Sequence, residues 1–287
     1  MIKLTEYTFI DIHYHASPDL YERRWHALEA GQIYQKLHGA VFLTSHLGAT
    51  TVQATLAQKL GLPVFPSLVL NHLAGGINYR AILHALNEYQ PVSSAKMLVH
   101  FPTITGRKYP SKLSRQLMKP ELSQYSQQGE TLFNKQQKLR KNAIDILKMA
   151  HDYPIVLTTG HASVEEVYSL IDACITYNVP ALLLNQPAHP LVKLNAAALN
   201  ELAKNEFVWV EQTALTYLLG HQDKEDLSAV LTTTPRVIYS SDLGQTNQMD
   251  IENWLDYSNT LFADLALDAQ RKTDLLGANA AKLLSLE

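Results

Sequence analysis

The chain has 287 residues, 46% hydrophobic and only 18% charged, with a formal net charge of −3 and a pI near 6.5. That is enough apolar material for one large core, while the near-neutral balance offers no basic footprint for nucleic acid. No apolar run approaches the ~20 residues of a membrane span, and the opening MIKLTEYTF lacks the apolar centre of a signal peptide.

A cytoplasmic protein is therefore expected, with neither nucleic-acid nor membrane partners. The single cysteine, Cys174, excludes an intrachain disulfide and fits a reducing compartment. It lies in VYSLIDACITYNV on the apolar face of a predicted helix, where packing explains it better than catalysis.

Taken in chain order, short β-branched or leucine-rich runs recur: FIDIHYH, GAVFLTSH, PVFPSLVLNH, AKMLVHFPT, PIVLTTGH, PALLLNQ, FVWVEQ and RVIYSSD. Helical patterns lie between them, among them TTVQATLAQKLGL, NYRAILHALNEY, SVEEVYSLIDACITYN, LNAAALNELAKN and DIENWLDYSNTLFADLA, with NAAKLLSLE closing the chain. With strand ends placed at His13, Thr44, Leu70, His100, Thr159, Asn185, Glu211 and Asp242, the intervals are 31, 26, 30, 59, 26, 26 and 31 residues. Six of the seven match one βα unit, and none of the runs alternates polar and apolar along its whole length, as parallel strands covered by helices require.

The reading is α/β, a single (β/α)8 barrel over residues 1–287. A doubly wound open sheet also alternates strand and helix, but it needs no eight even units, and no GxGxxG follows the first strand. The long interval holds an excess segment at 103–130, with Arg107, Lys108, Lys112, Arg115 and Lys119 against Glu121 and Glu130. After the fourth strand it emerges on the face where barrel active sites form, as a basic lid over an anionic substrate or as a solvated excursion.

A barrel gathers the strand ends around one mouth. Seven of the chain's 12 histidines fall there: His13, His15, His46, His72, His100, His161 and His189, with Asn71, Asn185, Gln186, Glu211, Gln212 and Asp242. In a strand, residues i and i+2 share a face, so His13 and His15 can aim at one point. Imidazole and carboxylate suit Zn²⁺ and related ions, and three or four such ligands with an open position make a catalytic site. His13, His15, His161 and Asp242 fit that description as metal ligands, with Asp242 also the general base.

His46, His100, Asn185, Gln186, His189 and Glu211 are candidates for a second metal or for substrate contacts. His26, His38, His84, His151 and His221 read as surface or capping residues. Asp19 with Arg23 or Arg24 reads as a capped helix start, and AGGIN at Ala74–Asn78 as a tight connection.

At IDIHYH, TGH and SSDLG the sequence resembles the amidohydrolase superfamily of metal-dependent TIM-barrel hydrolases. HASPDLYERRW, SHLGATT, VLNHLAGGIN, TTGHASVEE and SDLGQ together resemble an uncharacterised amidohydrolase-like branch, over Asp11 to Gln245. The resemblance implies HxH, a fifth-strand histidine and an eighth-strand aspartate on a divalent metal, with hydrolysis or deamination as the chemistry. Many binuclear members have a carboxylated lysine ending strand four. Here that end is VHFPT with Lys96 at the start of the run, so one ion, Zn²⁺ or another divalent metal, is expected rather than two. Gln186 and Gln212 also stand where a histidine would strengthen the ligand set.

The function expected is hydrolysis of an amide, ester, lactone or phosphoester of a small molecule, anionic if the 103–130 segment is a basic lid, by a chain that can form a homo-oligomer. A metal-dependent decarboxylase or lyase on the same scaffold, or a non-catalytic ligand-binding barrel, are the alternatives.

Overall fold

Every one of the eight apolar runs contains strand, and each strand is buried along its whole length in a computed structural model that describes residues 2–286. In order the elements are β1 (Phe9–Tyr14), α1 (Ala27–Lys36), β2 (Gly39–Leu43), α2 (Thr51–Lys59), β3 (Val64–Phe65), β4 (Ser67–Val69) and α3 (Tyr79–Glu88). There follow β5 (Met97–His100), the short α4 (Ser123–Ser126), α5 (Lys141–Met149), β6 (Ile155–Thr158), α6 (Val164–Thr176), β7 (Leu182–Leu184) and α7 (Ala196–Leu202). The chain ends with β8 (Val208–Thr213), α8 (Ala214–Leu218), α9 (Lys224–Thr233), β9 (Val237–Ser240), α10 (Ile251–Asp264), α11 (Ala269–Thr273) and α12 (Asn279–Leu284). The predicted closing helix is α12, which continues from α11 through a π-helical turn at Asp274–Ala278; Glu287 lies outside the described residues.

The fold is α/β with parallel strands, arranged as a three-stranded sheet, β1-β2-β3, and a six-stranded sheet, β4-β5-β6-β7-β8-β9. The predicted third run is two strands because Pro66, with no N–H to donate, interrupts the ladder: β3 pairs with β2, and β4 with β5. Both sheet boundaries carry hydrogen bonds. On one side Ser67 Oγ donates to Leu43 O at 2.6 Å and Thr50 N to Ser67 O at 2.9 Å. On the other, Asp242 N donates to His13 O at 2.8 Å and His15 N to Leu243 O at 2.9 Å, joining the end of β9 to the end of β1.

Helix starts follow local chemistry. Asn78, Asn195, Asp223, Asp250 and Asp268 each accept a backbone N–H from the first turn. His26 with Glu29, and Ser163 with Glu166, form full capping boxes at α1 and α6. The cap of α1 is therefore His26, and Asp19 sits upstream in the β1–α1 loop, contrary to the sequence expectation.

Alternation along the strands divides their side chains between two cores. Val41, Val99, Leu157, Leu182, Val210 and Tyr239 pack under helix residues such as Tyr34, Ile82, Leu170 and Trp254. Ile10, Phe42, Phe65, Leu98, Val156, Leu183, Trp209 and Ile238 pack with one another and with Leu283 and Leu284 of the closing helix. Cys174 is in the first core, where burial pushes its thiol up to about 12, as packing rather than catalysis requires.

Candidate metal centre

The second core explains the site. Two residues beyond Leu98, Val156, Leu183, Trp209 and Ile238, on the same strand face, stand His100, Thr158, Asn185, Glu211 and Ser240. Period-two geometry thus stacks a buried polar layer directly on an apolar one. Its members satisfy each other: Thr158 Oγ1 and His100 Nδ1 are 2.8 Å apart, Ser240 Oγ donates to Glu211 Oε1 at 2.8 Å, and Asn185 Nδ2 donates to Glu211 Oε2.

His13 rests on this layer. The β1–β2 register is irregular between Asp11 and Tyr14, and Asp11 fixes the bend by accepting from His13 N at 3.1 Å and Ser241 N at 3.0 Å. Tyr34 donates to the other Asp11 oxygen at 2.5 Å. Burial raises the Asp11 carboxyl above its ordinary range despite these donors.

The His13 ring lies between two carboxylates. Nδ1 is 3.0 Å from Glu211 Oε1, and Nε2 is 3.5 Å from Asp242 Oδ1. Burial alone would lower its pKa, but the charges of Glu211 and Asp242 prevail and raise it to about 9. His15 Nε2 lies 3.3 Å from the same Asp242 oxygen. Three ligand atoms on His13, His15 and Asp242 therefore lie within 4.8 Å of one another.

These residues fit a divalent ion. Ligands at about 2.0–2.1 Å in a tetrahedron are separated by roughly 3.3 Å, close to the two spacings measured to Asp242. The Glu211 contact is the carboxylate–histidine arrangement that fixes a ligating imidazole and its tautomer. Burial and the nearby Arg23 hold His15 well below its ordinary pKa, so its nitrogens are available as ligands.

Asp242 is placed by a strained backbone. It has φ +54°, and Gln186 at the end of β7 has φ +45°, conformations that L side chains adopt rarely and that cluster at functional sites. Behind Asp242, Gly244 has φ +112°, and a Cβ there would meet His15 O at 1.8 Å. Gly244→Ala is expected to part the β1–β9 boundary, costing about 3 kcal/mol in urea unfolding and weakening metal retention with it.

The other candidates fall into place around this trio. His161, His189, His46 and Gln186 line one cavity with His13, His15 and Asp242. His161 stands outside the close cluster, its ring stacked on His189 at 4.5 Å, and burial holds it well below its ordinary pKa. Burial likewise lowers His189 to about 4 and His100 to about 3. His100 and Asn185 belong to the buried layer beneath, Glu211 orients His13, and Gln212 turns away to bond Gln222 at 2.8 Å. His72 is exposed on an outer loop.

A second trio, His15, Asp19 and His46, also brings three ligand atoms within 4.8 Å of one another, but Asp19 is already saturated. It accepts from Arg23 Nε at 2.7 Å, Arg23 Nη2 at 2.5 Å, His46 N at 2.7 Å and Ser45 Oγ at 3.2 Å. A buried guanidinium occupies the place a cation would need, and the trio is an anchor for the β1–α1 and β2–α2 loops.

The segment between β5 and α5 reaches over the same cavity with Tyr109, Leu113 and Arg115, and α8 and its following turn add Leu215, Thr216 and His221. Tyr109 packs edge-on to His189 at 4.6 Å. Sequence reasoning missed Tyr109 and Thr216 and read His221 as an outer residue, because all three come from chain that carries no strand period. The segment is clasped by Glu166, which accepts from Leu132 N at 2.8 Å, Phe133 N at 3.2 Å and Arg107 Nη2 at 2.5 Å. Arg107 Nη1 also donates to His161 O at 3.1 Å.

Fold and site together define an α/β protein with two buried histidines and a part-exposed aspartate clustered at the carboxyl ends of parallel strands. The model of a family of unknown function, DUF6282, matches residues 8–211, and the chain belongs to that family. The match reaches Glu211 and ends before Asp242. Among solved structures, the chain is similar to dihydroorotase from Campylobacter jejuni, with 14% identity, a TM-score of 0.48, and coverage of 96% of this chain and 82% of that one. No curated protein matches the chain.

Among the described residues, no helix is long and apolar enough to cross a membrane.

Proposed function

We propose that the chain is a metal-dependent hydrolase of the amidohydrolase type, acting on an amide, ester or lactone of a small molecule. The observation that carries the reading is the convergence of His13 Nε2 and His15 Nε2 on one oxygen of Asp242, at 3.5 and 3.3 Å, with Glu211 behind His13. The two sheets, bonded at both boundaries, are read as one (β/α)8 barrel whose carboxyl-terminal mouth is this site.

His13, His15 and Asp242 would hold one ion, Zn²⁺ being the species their chemistry suits. His161 lines the same cavity, where it would meet the substrate or lend a further nitrogen to the ion. When bound, the ion supplies Lewis acidity that ionises water near neutral pH. Asp242, partly open to the cavity, would take the proton of the attacking water and return it to the leaving group. Glu211 keeps His13 Nδ1 engaged so that Nε2 faces the site, and the neutral imidazoles of His161 and His189 can donate to a polarised substrate oxygen.

Metal content tests the reading. Chain stripped with chelator, reloaded with Zn²⁺ and desalted is expected to retain about one ion per chain by elemental analysis, and fewer than about one per two chains would overturn it.

A further inference from the structure

The cavity wall has one carboxylate, Asp242, and one guanidinium, Arg115. Three other arginines near this end of the molecule are paired: Arg23 with Asp19, Arg107 with Glu166 and Arg140 with Glu130, each at 2.5 Å. No carboxylate of a described residue lies within 4.0 Å of Arg115. It is nevertheless held in place, its guanidinium carbon 4.5 Å over the Tyr21 ring. The chain just after it is tied to the β1–α1 loop, Glu22 N donating to Gln116 O at 2.9 Å and Met118 N to Leu20 O at 3.0 Å. A half-buried, oriented and unpaired guanidinium facing a catalytic cavity is a binding group for a planar anion.

Building on the hydrolase reading, we propose that the substrate carries a carboxylate distant from the bond that is cleaved, and that Arg115 binds it. The cavity presents Val69, Leu113, Leu215 and Leu219 among histidines, threonines and glutamines, so the rest of the substrate meets a mixed apolar and polar wall. Arg115 also lines an adjoining open groove, with Tyr21, His46 and Thr103.

Binding measured apart from turnover tests this. The Zn²⁺-loaded chain is titrated calorimetrically with N-acetylglycine, N-acetyl-β-alanine and N-acetyl-γ-aminobutyrate, and with the carboxamide of each. At least one acid is expected to bind tenfold or more tighter than its carboxamide, and Arg115→Gln to erase that preference while leaving the carboxamide Kd unchanged. Equal affinity of acid and carboxamide, or a preference that survives in Arg115→Gln, would overturn the proposal.

Phenylglyoxal labelling of wild-type protein, mapped by mass spectrometry, needs no variant. The acid should slow modification of Arg115 at least threefold and the carboxamide should not; no protection by any of the acids counts against the assignment. Failure to retain metal would overturn the hydrolase reading without touching these carboxylate preferences, and the reverse outcome would leave that reading standing.

Discussion

Asp242→Asn is expected to abolish turnover, by about 10³-fold or more, and to release the metal on desalting, whereas Glu211→Gln should keep the ion but bind it roughly 10- to 100-fold more weakly. The two carboxylates flank the same imidazole, yet they do different work. Asp242 Oδ1 faces both His13 Nε2 and His15 Nε2 from the cavity side, so the amide variant loses a negative ligand and the proton acceptor together. Glu211 is buried and approaches Nδ1 from beneath, held by Ser240 Oγ at 2.8 Å and by Asn185. Glutamine there retains the shape and can still accept from Nδ1–H, but it gives up the charge that favours that tautomer. Metal affinity by competition with a chromogenic chelator, and hydrolysis of a panel of chromogenic esters and lactones, separate the two. Equal loss in both variants would mean that Glu211 is itself a ligand, and unchanged metal affinity in Asp242→Asn would remove Asp242 from the metal.

Much of this arrangement is written in the strand period. Once Leu98, Leu183 and Trp209 are known to face one core, His100, Asn185 and Glu211 must stand on the same face one layer higher, and the sequence places a polar residue at each. That is why candidates at strand ends converge in space although some, such as His13 and Glu211, are 198 residues apart in the chain. The HxH pair was legible for a related reason, although the irregular register after Asp11 means that simple alternation does not place His13; the Asp11 bonds to His13 N and Ser241 N do.

The limit of legibility comes where the strands stop. His161 follows Gly160, whose φ of +56° turns the chain, and its ring stacks on His189 rather than joining the close trio. Which way a residue points after such a turn depends on loop dihedrals that no periodicity encodes. The separation of Gln212 from the site, and the arrival of Tyr109 and His221 in it, have the same origin. One missed residue did carry a signal: Ser163 and Glu166 match the S-x-x-E capping pattern, which marks the start of α6, although nothing local foretells that Glu166 also holds the 107–133 segment.

That second role makes Glu166→Ala the substitution expected to damage stability most, by about 3–5 kcal/mol. Glu166 is fully buried, and its two oxygens accept from four groups: Ser163 N at 2.8 Å, Leu132 N at 2.8 Å, Phe133 N at 3.2 Å and Arg107 Nη2 at 2.5 Å. Alanine removes every acceptor at once. It strands the backbone donors away from water, opens the capping box of α6 and frees Arg107 from its buried partner. For a chain of this size the loss corresponds to a melting temperature lower by roughly 5–8 °C. The consequence reaches the site, because Arg107 also holds His161 O at 3.1 Å, and residues 107–128 should become cleavable by trypsin at Arg107, Lys108, Lys112 or Arg115 under native conditions. Glu166→Gln retains one acceptor oxygen and should lose less than half as much. If both variants melt with the wild type and resist trypsin equally, the clasp is not what holds the segment over the cavity.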